Sequence, residues 1–165
     1  MVRSRSTGVK GPGRADQADS NVLFEAWRVS RAASSLLDGI LGPSGLSADE
    51  FGVYSVLAGA GSITPTELAR WMAAAPTTVS SYVQRFERRG HVERSRHPGD
   101  GRSYRIRLTP AGRRAHRDAA ELFAPTLARV VRALGDAEPG ARRTLESLLA
   151  AIESVRTPDA AGPRP

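Results

Sequence analysis

The stretch Glu67–Gly112, ELARWMAAAPTTVSSYVQRFERRGHVERSRHPGDGRSYRIRLTPAG, constrains the fold more than any other part of the chain. Thr64, Pro65 and Glu67 open a short helix with a capping box and a first-position proline, and Ile63 is placed to staple onto Leu68. A second helix begins at Pro76 and stops at Gly90. At about 100° per residue, its Val79, Val83 and Phe86 share one face. Beyond Gly90 the period changes to alternation. Tyr104, Ile106 and Leu108 fall on one side of a strand, and Ser103, Arg105 and Arg107 fall on the other. A partner strand is predicted around His91–Arg96, with the turn at His97-Pro98-Gly99-Asp100-Gly101. Two short helices followed by a basic hairpin make a helix-turn-helix with a β-wing.

The outer face of the second of these helices carries Thr77, Ser81, Gln84 and Arg88, flanked by Thr78, Ser80 and Arg85. Small hydrogen-bonding side chains and arginines without acids suit base edges and phosphates. An ordinary surface helix would mix in glutamate. Charge is localised in the same region. Between Arg85 and Arg117 there are eleven arginines, Arg96, Arg102 and Arg105 among them, against three acids. That excess of eight is larger than the net charge of +7 for the whole chain. A local positive patch fits a polyanionic partner. A merely solvated face is the plain alternative for a charge run, but this run coincides with the hairpin and its helix. Lys10 is the sole lysine. The chain-wide preference for arginine is best ascribed to GC-rich coding.

The flanks read as helical. Val22, Ala26, Val29, Ala33, Leu36 and Ile40 recur at alternating spacings of four and three, and Leu23, Trp27, Leu37 and Leu41 widen that stripe beyond what one neighbour covers. Ser47 and Glu50 form a capping box for the next helix, with Leu46 stapling onto Phe51. Thr109 and Pro110 begin a long helix in which Pro125 is predicted to cause a kink or a split. Asp136 caps a last helix lined by Leu145, Leu148, Leu149, Ile152 and Val155. The expected fold is mainly α with a small β-wing. Residues 46–108 form the winged helix-turn-helix, and helices in 20–42 and 109–156 form a dimerisation region. Residues 1–19 read as a flexible basic tail and 157–165 as a disordered one.

Several classes of function are disfavoured. With no cysteine there are no disulfides, thiolates or cysteine–zinc sites. No apolar run approaches the ~20 residues of a membrane span, and no signal-peptide core follows the start. A soluble, cytoplasmic protein is expected. Phosphate-binding glycine loops, a nucleophile elbow and paired-histidine metal spacings are missing. We therefore expect no enzyme, no cofactor and no metal. His91, His97 and His116 read as surface or half-buried histidines.

The chain resembles the MarR family of transcriptional regulators, named for multiple antibiotic resistance. ELARWM is similar to the family's first helix-turn-helix helix, and PTTVSSYVQRFERRGHVER to its recognition helix and first wing strand. GDGRSYRIRLTPAG resembles the wing with its Asp-x-Arg tip and the Leu-Thr-x-x-Gly start of the next helix, which is the specific part of the match. The resemblance spans residues 20–156 and implies a homodimer held by the first, fifth and sixth helices on a pseudo-palindromic DNA operator. It implies that Arg102 enters the minor groove, with Asp100 orienting it. A narrow groove concentrates negative potential there. It also implies a small aromatic or phenolic effector near Trp27, Phe51, Tyr54 and Trp71, although aromatics at helical spacing equally suit a core. The family usually has a glycine and a serine cap at the helix-turn-helix turn, where this chain has Ala73, Ala74 and Ala75. The expected function is sequence-specific repression relieved by a small molecule. The alternatives are a non-specific nucleoid-type DNA-binding protein without an effector, and a protein-interaction module that has lost DNA.

Overall fold

The computed structural model describes residues 21–97 and 100–156, and for residues 96, 97 and 100–103 the backbone alone. Both expected tails lie outside those residues. The order is α1 (Val22–Leu41), a 3-10 turn (Gly42–Ser44), α2 (Ala48–Ala60), α3 (Pro65–Trp71), α4 (Pro76–Arg88), β1 (Val92–His97), β2 (Asp100–Leu108), α5 (Pro110–Leu134), a second 3-10 turn (Gly135–Ala137) and α6 (Glu138–Arg156). It is a mainly helical winged helix-turn-helix fold with one two-stranded antiparallel sheet.

Local chemistry sets most boundaries. Asn21 accepts hydrogen bonds from the Leu23 and Phe24 amides and so starts α1. Complete capping boxes start α2, between Ser47 and Glu50, and α3, between Thr64 and Glu67. A cap of this kind stabilises a helix by about 1 kcal/mol. The wing pairs Val92 with Leu108 and Arg94 with Ile106, and its register shifts between Arg96 and His97. Ile63 adds a single antiparallel bridge to Ile106, through bonds of 3.0 and 2.7 Å, which moors the wing to the α2–α3 connection.

The core lies almost wholly in the winged half. Phe51, Val53, Tyr54 and Leu57 of α2 meet Leu68 of α3, Val79, Val83 and Phe86 of α4, and Val92, Ile106 and Leu108 of the wing. The Val79–Val83–Phe86 face is buried as its spacing predicts. The terminal helices are another matter. Trp27 is 58% exposed, Leu145 53% and Val155 83%, and Leu41 is the only buried residue of α1. α6 has none.

Two expectations meet a correction or a strain. Pro125 does not split the long helix, because α5 runs unbroken for 25 residues. Pro125 and Glu121 are both exposed, so water is available to the carbonyl that the proline leaves without a donor. At the helix-turn-helix turn, Ala73 has φ 49°, making it the one non-glycine residue of positive φ among those described. Ala75 caps α4 with no side-chain hydrogen bond.

A left-handed alanine costs roughly 1–2 kcal/mol, part of which glycine recovers after its own entropy cost. Ala73→Gly is therefore expected to raise unfolding stability by about 0.5–1 kcal/mol, and Ala75→Ser by about 1 kcal/mol. Urea denaturation midpoints at constant slope check both. A loss of stability in Ala73→Gly would contradict the strain.

Candidate nucleic-acid interface

The outward face of α4 is open. Thr77, Thr78, Ser80, Ser81, Gln84 and Arg88 are exposed. Among the described residues, none of these side chains forms a hydrogen bond or ion pair with the protein. These groups therefore remain free to donate to and accept from a partner.

What holds α4 in place is a carboxylate from α2. The Glu50 side chain is 5% exposed and lies against two arginines of the α4 C-terminus, Arg85 at 3.3 Å and Arg89 at 3.0 Å. Glu50 Oε2 accepts from Arg89 and from the Ser47 amide. Oε1 has no hydrogen bond of proper geometry, although Arg85 Nη1 is within ion-pair distance, so that contact is Coulombic. The hydrogen bond that Arg89 donates to Glu50 raises Arg89 above the ordinary arginine value, against the opposing effect of burial. One residue thus caps α2 and anchors the end of α4. The capping role is visible in the sequence, but the ion pairs join residues about forty positions apart and leave no local signal.

Arg85 and Arg105, both expected to contact DNA, also have partners within the protein. Arg85 faces Glu50 and lies over the Tyr82 ring, 4.7 Å from its centroid. Arg105 donates through Nε to Ser62 Oγ at 2.9 Å and through Nη2 to the Ser62 carbonyl at 2.6 Å, bracing the wing from within. Nearby arginines are also occupied. Arg94 pairs with Glu87 at 2.6 Å and stacks over Tyr104, and Arg107 pairs with Glu93 at 2.8 Å. The positive patch is thus partly neutralised within the protein, whereas Arg88 keeps its charge free among the described residues. The backbone puts Arg96 in β1 and Asp100 and Arg102 at the start of β2, at the wing end of the molecule.

The four aromatics expected around a ligand do not line one cavity. Phe51 packs between His116 and Phe123, and Tyr54 is fully buried edge-on to Phe86 and His91. Both belong to the core because the inner face of α2 is wedged between α4 and α5. Trp27 stacks on Phe24 at the surface of α1, and Trp71 is 71% exposed at the end of α3.

The base of the wing is locked by the Leu-Thr-x-x-Gly segment. Thr109 donates from Oγ1 to the Gly90 carbonyl at 2.7 Å and from its amide to the His91 carbonyl at 3.0 Å, and its hydroxyl caps α5 by accepting from Gly112. A side chain at position 112 would collide with the His91 carbonyl, so the close approach demands glycine. His91 Nδ1 meets the Tyr54 hydroxyl at 2.9 Å, and His116 Nε2 meets Ser55 Oγ at 3.1 Å. Among the described residues no three histidines or acids converge as metal ligands, and no helix is long and apolar enough to cross a membrane.

An open, acid-free helix face presented by a braced helix-turn-helix, beside a wing, defines a winged-helix protein with a surface suited to duplex DNA. A MarR family model matches residues 44–103, which run from before α2 into the wing. The curated multiple antibiotic resistance protein MarR of Salmonella typhimurium is 30% identical over 86 residues. That match covers 52% of this chain and 60% of the relative's length. Among solved structures, the M. tuberculosis transcriptional regulator MosR in complex with DNA is similar at a TM-score of 0.72 and 30% identity, covering 84% of this chain and 100% of that one. Apo wild-type MarR from E. coli is similar at a TM-score of 0.65 and 25% identity, covering 81% and 97%. The chain belongs to the MarR family.

Burial, aided by nearby arginines, lowers His91 and His116 below the ordinary histidine value of 6.5. The folded chain then binds fewer protons than the unfolded one, so stability is complete above that value and declines as pH falls through it. Urea midpoints measured across acidic pH should show this decline, and the double variant His91→Gln, His116→Gln should flatten it. Glu50→Ala removes a cap and strands two arginines that are partly solvated, so a loss of about 2–3 kcal/mol is expected. Glu67→Ala, which removes only an exposed cap partner, should cost less in the same assay.

Proposed function

We propose that the chain is a dimeric, sequence-specific DNA-binding regulator, acting in the cytoplasm as a repressor that a small molecule releases. The observation that carries this reading is the α4 face, where hydrogen-bonding side chains stand unpaired on a helix whose inner side is fully packed. Side chains of that kind pay little to leave water only when base edges and phosphates replace it. The similarity to MosR, whose structure contains DNA, supports the same placement. Arg102, with Asp100 beside it, would reach the minor groove from the wing, and Arg96 would contact the backbone. Relief by an aromatic or phenolic effector rests on the family resemblance.

Dimerisation is supported by the apolar faces of α1, the distal half of α5 and α6, where Trp27, Leu36, Leu127, Val130, Leu145 and Leu149 stay open in one chain. A surface of that kind is rare on a stable monomer. Two-fold pairing would set the recognition helices about 34 Å apart, one turn of DNA. Sedimentation at micromolar concentration should give a dimer, and a stable monomer would remove the basis for a palindromic site.

The sharpest test is the α4 face itself. Gln84→Ala or Ser81→Ala should cost about 1–3 kcal/mol on the cognate operator and almost nothing on random duplex. Folding stability should stay within about 0.5 kcal/mol of the parent chain, because both positions are exposed. Equal losses on the two DNAs would favour a non-specific architectural protein.

A further inference from the structure

A cavity of about 560 Å³ opens between the N-terminus of α2, the end of α3 and the near side of α4. It falls within the usual size range of small-molecule sites. Its walls include Val53, Val56, Trp71, Met72 and Tyr82, with Asp49 as the only carboxylate and no arginine, lysine or histidine. The Tyr82 hydroxyl donates to Asp49 Oδ2 at 3.2 Å, which orients the carboxylate and leaves its other oxygen without a donor among the described residues. Arg85 is drawn to Glu50 and covers a face of the Tyr82 ring. Trp71 is large, apolar and 71% exposed, and the core does not use it.

An apolar cavity with an indole, a phenol ring, a thioether and one negative charge is complementary to a positive charge carried on a greasy body. Aromatic faces attract cations, and the exposed Asp49 carboxylate adds a solvent-screened attraction of the same sign. An anionic ligand would meet Asp49 with no cation in the wall to offset it. We propose that this cavity binds a lipophilic organic cation bearing aromatic rings, with Trp71 and Tyr82 as the aromatic contacts and Asp49 as the counter-charge. Thr78 and Tyr82 belong to α4, so the occupant presses on the helix that carries the DNA-facing side chains. Only that regulatory consequence rests on the proposed DNA-binding function. The binding itself does not.

The test uses the full chain and two isosteric ions of opposite charge, tetraphenylphosphonium and tetraphenylborate, followed by titration calorimetry without DNA. The phosphonium should bind saturably, one per chain, at least about tenfold tighter than the borate. Asp49→Asn should erase most of that preference. Gly52 lines the same cavity on a helix, and a side chain added there meets open space. Gly52→Leu should therefore abolish binding without lowering the melting temperature, which separates blocked access from misfolding. Equal or tighter binding of the borate would overturn the proposal, as would phosphonium binding that survives both substitutions. Operator binding is measured separately. A wild-type chain that binds the phosphonium but no duplex would refute the DNA reading and leave the cation site standing.

Discussion

Glu50 holds the outward-facing helix α4 to the body of the molecule. Its backbone belongs to the first turn of α2, its carboxylate completes the cap on Ser47, and the same oxygens face Arg85 and Arg89 at the far end of α4. A carboxylate with so little exposure would be costly without partners. With two guanidiniums it becomes a fixed point about which α2 and α4 cannot slide independently. Tyr54, one turn further along α2, extends the network to His91 at the start of the wing. The polar contacts of α4 therefore divide cleanly. Arg85 and Arg89 look inward to protein, and Thr77, Ser81, Gln84 and Arg88 look outward to solvent.

The hydrophobic effect is distributed just as unevenly. The winged half buries a continuous core from Leu41 to Ala119, whereas α1, the distal part of α5 and α6 leave valines, leucines and a tryptophan open. In such a chain the two halves obey different thermodynamics. The winged half draws its stability from contacts within one chain. In the proposed dimer, the helices that leave apolar faces open would acquire a stability that depends on protein concentration.

How much of this was readable from residues alone depended on range. Both capping boxes lie within four residues, so Ser47–Glu50 and Thr64–Glu67 declared their helices directly. The Val79–Val83–Phe86 face and the Tyr104–Ile106–Leu108 side of the wing follow from periodicity, which is also local. The partners of Arg85 and Arg105 are not local, since Glu50 and Ser62 lie some forty residues away and no pattern ties them together. An arginine on a basic strand looks the same whether it meets phosphate or a serine. Phe51 and Tyr54 were equally ambiguous, because a core aromatic and a ligand-lining one share the same helical spacing. The Ile63–Ile106 bridge is one residue long, too short for alternation to reveal. The three alanines of the turn were legible as a departure, and the left-handed Ala73 is its physical expression.

The lock at the base of the wing has a mechanical consequence. Thr109 bonds to Gly90 and His91 while capping α5, and Gly112 lets that helix sit directly against the His91 carbonyl. Wing and helix therefore turn as one rigid arm. α5 is 25 residues long, which makes a lever of about 37 Å. A tilt of about 5° at its far end sweeps the near end through about 3 Å, as much as a hydrogen bond is long. Under the proposed function, small adjustments in the open apolar region would be geared up into displacements of the wing large enough to engage or release a groove.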